Sequence, residues 1–129
     1  MALVINDRVK ENSTTSSTGN ITLAGIPSGQ GNVTFNSGIG TGNTTYYCIF
    51  EQGTNTFEIG LGTLSGSTTL ERTTVINNSS GNTSKISFTG GTLDVFCTMP
   101  AAKTVYLDAS GTPVGAASNG FALAMAVAL

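Results

Sequence analysis

The sequence predicts an all-β fold: a single-domain antiparallel β-sandwich or barrel of about eight short strands, with an extended N-terminal arm. Three observations lead there. Thr is abundant, at 21 residues, and joins Val, Ile, Tyr and Phe among the residues that favour strands. The 17 Gly, 11 Asn and 13 Ser fall largely between those runs, where turns need them. Apolar segments recur at intervals near 10 residues with turn signals between them, and before the C-terminus none sustains a helical period.

Taken in order, residues 1–19 form the expected arm and 20–129 the β domain. The arm holds Asp7-Arg8-Val9-Lys10-Glu11, which carries four of the chain's twelve charges, followed by a Ser/Thr-rich stretch. Ile21–Leu23 and Val33–Phe35 are expected as two short strands. Asn43–Phe50 is strongly β-forming, and Gln52–Asn55 is a turn. Thr56–Gly62 alternates with period two. Phe57, Ile59 and Leu61 share one face, expected to be the buried one, and Glu58, Gly60 and Gly62 share the other. Ser65–Ser67 turns the chain into Thr68–Ile76, with Leu70, Thr74 and Ile76 on one side and Glu71, Thr73 and Val75 on the other. Three strands joined by two tight turns make an antiparallel meander. Ile86 and Phe88 mark a short strand, then Leu93–Thr98 and Lys103–Leu107 two more. Phe121–Leu129 alternates large residues with Ala. In a β context it reads as a last strand, although its Ala and Leu content also suits a short helix.

Composition narrows the function. Charged residues are 9%, against about 25% in an ordinary domain. The chain has no His, so a His general base is excluded, and with two Cys and no His no zinc finger can be built. A net charge of −2 lacks the basic excess of a nucleic-acid binder. Met1–Ile5 lacks a basic start and a long apolar core, so no signal peptide is expected. Nine apolar residues at the C-terminus are too few for a membrane helix, which needs about 20. Cys48 and Cys97 are expected as two buried free thiols. The Asn-X-Thr triplets beginning at Asn20, Asn32 and Asn43 are expected to carry no glycan.

Candidates for chemistry are few. Glu51 and Glu58 flank the first hairpin turn, but paired carboxylates need a pocket, and solvated surface is the expectation. Gly60-Leu61-Gly62 lacks the strand-to-helix transition and the Lys of a phosphate loop. Asp94 and Asp108 have no run of oxygen ligands around them, so no metal or cofactor is expected. Cys48 sits in an apolar strand without a base. Tyr46 and Tyr47 point to opposite faces, and an exposed Tyr among Thr, Ser and Asn suits carbohydrate or receptor recognition. The sharper candidates are contacts with protein partners: Asp7, Arg8, Lys10 and Glu11 as a docking arm, and Phe121, Leu123, Met125 and Val127 as apolar residues to be buried in the core or at a subunit interface.

Asp7–Glu11 with its Ser/Thr run, Ile21–Gly25, Gly42–Tyr47, Phe57–Thr63, Thr69–Val75, Asp94–Thr98 and Val105–Asp108 resemble, in order, blocks of a small virion protein of tailed bacteriophages. The resemblance covers most of residues 7–110. In that family the module begins tail fibres or stands alone as a small structural protein. The family pattern often has Trp before the Glu-Ile-Gly block, where this chain has Phe57. Fibre versions continue into a Gly-rich shaft, whereas here an apolar segment follows. The resemblance therefore implies a non-enzymatic virion protein, assembled in the bacterial host cytoplasm and joining or anchoring fibre components at the tail or baseplate. A capsid decoration protein and a carbohydrate-binding receptor module are the alternatives. Its partners would be other virion proteins and further copies of itself, in a homo-oligomer such as a trimer.

Overall fold

The computed structural model describes residues 1–115 and 126–127. Its strands are β1 (Lys10–Ser13), β2 (Ser16–Ser17), β3 (Ile21–Thr22), β4 (Thr44–Glu51), β5 (Phe57–Gly66), β6 (Thr69–Asn78), β7 (Phe88–Thr89), β8 (Leu93–Cys97), β9 (Tyr106–Leu107) and β10 (Pro113–Val114). Six of them make one antiparallel sheet in the order β1-β8-β4-β5-β6-β3. The sheet curls into a nearly closed barrel. Its edges meet where Asn12 of β1 donates to the Gly25 carbonyl at 2.9 Å and accepts from the Ala24 N–H at 2.8 Å. Two residues opposite one is a bulge geometry, which bends the chain at a barrel seam. Closure of this kind removes the exposed edges that would otherwise pair with other chains.

The meander β4-β5-β6 is the backbone of the barrel. Its first turn places Gly53 at φ +74°, a left-handed conformation that a residue with Cβ rarely adopts. The second strand runs on past Gly62 to Gly66, and the turn into β6 falls on Ser67 and Thr68. Register shifts between β5 and β6 at Ile59/Gly60, Leu61/Gly62 and Leu64/Gly66 increase the local bend.

The faces of β5 are the reverse of the expectation. Glu58, Gly60, Gly62 and Leu64 point into the barrel, and Phe57, Ile59 and Leu61 point out and are half-buried. On β6, Leu70, Arg72 and Val75 are buried, so Val75 rather than Ile76 reaches the interior after the bulge. The physical reason is pairing: inward Glu58 meets Arg72, and inward glycines leave room for the ring of Tyr47.

Two other expectations change. Residues 10–13, part of the expected arm, are the edge strand β1 paired with β8, and Val9 lies in the core. Val33–Phe35 is not a paired strand of the sheet. Val33 makes a lone parallel bridge to Val9, and a one-turn helix, α1 (Phe35–Gly38), follows. Thr34 caps that helix by accepting from the Ser37 N–H at 3.1 Å. The helix seats Phe35 and Ile39 in the core, and Gly38 is required there because a Cβ would stand 2.4 Å from Val9 Cγ2. Lys103 closes a 3-10 turn (Ala101–Lys103), and only Tyr106–Leu107 of the expected strand pairs, with β10. Phe121, Leu123, Met125 and Leu129 lie outside the described residues.

Candidate functional site

The barrel interior concentrates charge. Four of the chain's twelve charged residues, Glu11, Glu51, Glu58 and Arg72, are buried, so the expected surface position of Glu51 and Glu58 does not hold. Each is held by a complete set of partners. Arg72 Nε donates to Glu58 Oε1 at 2.7 Å, and Arg72 Nη2 donates to the second carboxylate oxygen. That oxygen also accepts the Ile86 N–H at 2.7 Å, while the Tyr47 hydroxyl donates to Oε1 at 2.8 Å. The Arg72 guanidinium lies 5.2 Å over the Phe88 ring and donates to the Ile86 carbonyl at 2.7 Å. Burial first, and then the Glu58 charge, hold the Tyr47 phenol far above its usual range.

The other two carboxylates bind backbone N–H groups and, for Glu51, a hydroxyl as well. Glu51 Oε1 accepts from the hydroxyl and the N–H of Thr89 and from the Gly91 N–H. The Thr89 hydroxyl contributes most to holding its carboxyl below the usual carboxylate range. Glu11 accepts the Phe35 N–H at 2.8 Å and the Gly25 N–H at 3.2 Å, tying β1 to the helix and to the barrel seam. Among the described residues no buried side-chain polar atom lacks a partner. A fully satisfied network of this kind rigidifies the interior and favours one arrangement of it.

The surface offers more. Cross-strand pairs place Phe50 beside Phe57, Cys48 beside Ile59, and Tyr46 beside Leu61 on the outside of β4 and β5. Cys48 also pairs with Phe96 of β8, which pairs in turn with Lys10 of β1. The result is an apolar outer face on β4 and β5, continued on β8 by Phe96 and interrupted there by Asp94, which pairs with Phe50. Tyr46, Cys48, Phe57, Ile59, Leu61 and Phe96 are half-buried, and Phe50 is 36% exposed. Phe96 also borders an open groove of about 320 Å³ lined by Arg8, Val9, Lys10, Asn32, Phe96 and Cys97.

Cations edge that groove. Lys10 Nζ stands 3.6 Å from Asp94 and 3.4 Å from Gln30 Oε1. Arg8, at φ +60°, donates to the carbonyls of Gln30 and Gly31. The sequence-predicted charged residues thus divide. Asp7 and Arg8 are exposed, Lys10 is half-buried at the groove, and Glu11 is inside. The two tyrosines divide also. Tyr46 belongs to the outer face, whereas Tyr47 is fully buried and cannot meet a receptor.

The cysteines are free, and they sit on opposite sides of the sheet. Cys48 is on the outer face, while Cys97 lies opposite inward-pointing Tyr47 and packs on the core. Burial among apolar neighbours pushes the Cys48 thiol up to about 11, so it is neutral near pH 7 and serves as contact surface. Val127, among the C-terminal partner candidates, is 79% exposed.

Sequence reasoning missed the outer face because it assigned the same residues to the core. The signal that finds it is Glu58-x-Gly60-x-Gly62: a carboxylate and two glycines alternating with three large apolar residues also fits an interior built to admit a ring. No protein-family profile, no curated protein and no solved structure matches this chain.

Proposed function

We propose that this chain is a non-enzymatic structural protein of a tailed-bacteriophage virion, at the tail or baseplate, that joins or anchors fibre components by protein–protein contacts. The observation that carries this reading is the apolar outer face of β4, β5 and β8, edged by Lys10 and Arg8. Contiguous apolar surface of this kind is characteristic of interaction sites. Interface centres are also depleted in charge, and the β4 and β5 part of this face carries none, with Asp94 and Lys10 lying toward its β8 side. The order of the sequence blocks that resemble the phage family supports the setting. In a particle, many copies in a symmetric arrangement would add weak contacts into a stable assembly.

The experiment is to locate the chain in purified particles by density map or gold labelling. Copies at the tail or baseplate agree with the proposal. Copies on the head lattice would replace it with the decoration role, and absence from particles would overturn it.

A further inference from the structure

We propose that β9 of one copy pairs edge to edge with β9 of a second copy, antiparallel about a two-fold axis beside Tyr106, so that two hairpins join into one four-stranded sheet. The pairing goes beyond the assembly reading above and does not depend on where the protein resides.

The β9-β10 hairpin guards one of its edges and leaves the other able to pair. Its turn is set by Asp108, whose N–H donates to the Thr112 carbonyl at 2.9 Å and whose carbonyl accepts the Gly111 N–H at 2.9 Å. Asp108 and Thr112 are therefore a hydrogen-bonded pair, and such pairs alternate with non-bonded ones along an antiparallel ladder. Leu107 opposite Pro113 is the non-bonded pair, and Tyr106 opposite Val114 is the next bonded one. Residues of a non-bonded pair turn their N–H and C=O groups away from each other. Leu107 and, two residues back, Val105 thus direct theirs to the outer edge of β9. Among the described residues neither makes a backbone bond outside the hairpin. The outer edge of β10 falls at Pro113, which has no N–H to donate, and Pro is one device that closes a strand edge to pairing. The side chains agree with an edge that pairs: Val105, Tyr106 and Leu107, from both faces of the strand, are 60%, 50% and 66% exposed. A lone two-stranded hairpin is marginal in water, and further strands stabilise it.

What fits this edge is the same edge of another copy. Turned about a two-fold axis, Leu107 comes opposite Val105 of the second copy, and each donates its N–H to the other's carbonyl. The symmetry repeats the exchange on the far side of the axis. Tyr106 meets its own counterpart in the non-bonded pair at the axis, where Cα atoms stand about 4.5 Å apart. The charges match as well. The same register sets Thr104 opposite Asp108 of the second copy, and Lys103, next along the chain, beside that carboxylate. Lys103 and Asp108 are both exposed, and neither has an ion pair within the described residues. The axis brings the two together twice. Such a pairing uses the same patch on both copies and closes at two, the commonest symmetry of soluble oligomers.

The test uses the full-length chain in solution under reducing conditions. Sedimentation from about 1 to 100 µM, the span of an ordinary micromolar association, should show a dimer that grows with concentration. Leu107→Pro should be monomeric over that span with an unchanged thermal midpoint, because the N–H it removes bonds nothing in the single chain. Lys103→Glu, which leaves the strand intact, should weaken dimerisation several-fold by setting two carboxylates side by side. In a Cys48→Ser background, Tyr106→Cys should give a disulfide-linked dimer on oxidation, since Cα atoms so placed lie within disulfide reach. Ala109→Cys, at the tip of the hairpin and away from the axis, should not. A monomer at every concentration would overturn the proposal, whether its Val105 and Leu107 amides exchange freely or are protected by another segment of the same chain. So would a dimer untouched by both Leu107→Pro and Lys103→Glu, or equal cross-linking through positions 106 and 109. Dimerisation of a protein absent from particles would support the pairing and sink the virion setting alone. A particle protein that is monomeric in solution would sink the pairing alone.

Discussion

The hydroxyl of Tyr47 donates to Glu58 Oε1 at 2.8 Å, and its ring reaches there across Gly60 and Gly62. Those glycines are spatial requirements. A Cβ at Gly60 would stand 2.6 Å from the Tyr47 hydroxyl and 2.6 Å from the Thr74 carbonyl oxygen. We expect Gly60→Ala to destabilise the fold by about 1–3 kcal/mol, as overpacking a core does. Urea unfolding of the variant checks it, and a midpoint equal to the parent's would show that the ring does not occupy that space.

Glu58 and Arg72 should couple strongly. Removing one partner leaves a buried charge, at a cost of about 3–5 kcal/mol, whereas replacing both by apolar residues is often near neutral. Arg72→Met and Glu58→Leu should each unfold at clearly lower denaturant than the parent. The double variant should lose much less than the two losses added together. Additive losses in that double-mutant cycle would mean that the two groups stabilise the barrel separately.

Acidification should weaken the fold partly through Glu51. Its carboxyl lies below the ordinary value of 4.5 in the folded chain, because Thr89 and Gly91 bond its charged form. The stabilisation it provides is present above that ordinary value and is lost as pH falls through the lower, folded value. Glu51→Gln should therefore lower the thermal midpoint at pH 7 and shrink the further drop on going to pH 3. An equally steep acid limb in the variant would remove Glu51 from the explanation.

The two thiols should behave differently and never pair. Cys48, pushed up to about 11, should react slowly with a maleimide at pH 7 and faster as pH approaches that value. Non-reducing mass spectrometry should find no link between Cys48 and Cys97, which face opposite sides of the sheet. An intrachain disulfide in the native protein would contradict this arrangement.

Arg8 and Lys10 edge the groove from the outside. Substituting Arg8→Ala and Lys10→Ala together should change stability by less than about 1 kcal/mol, since exposed charge contacts contribute little. If the groove faces a neighbour, incorporation into particles should fall several-fold, read as copies per particle on a stained gel. Truncating residues 2–11 is a poorer probe, because Val9 is a core residue and Lys10 and Glu11 belong to β1.

What the sequence determined by itself was the element type and the main hairpins. Thr, Val and aromatic runs broken by Gly and Asn place β4, β5, β6 and β8 within a few residues of where they lie. The period of two in β5 was equally visible, and it separates Phe57, Ile59 and Leu61 from Glu58, Gly60 and Gly62. It does not say which set faces in. Only the tertiary structure decided that, because the answer depends on groups from other strands: Arg72 from β6 to neutralise Glu58, and Tyr47 from β4 to fill the space over two glycines. The N-terminal charges show the same limit. Asp7–Glu11 reads as an extended docking arm along the chain, yet closing the barrel requires an edge strand, and the N–H groups of Gly25 and Phe35 draw Glu11 inside. Strand propensity is a local property, whereas the inward or outward sense of a strand is set by partners distant in sequence.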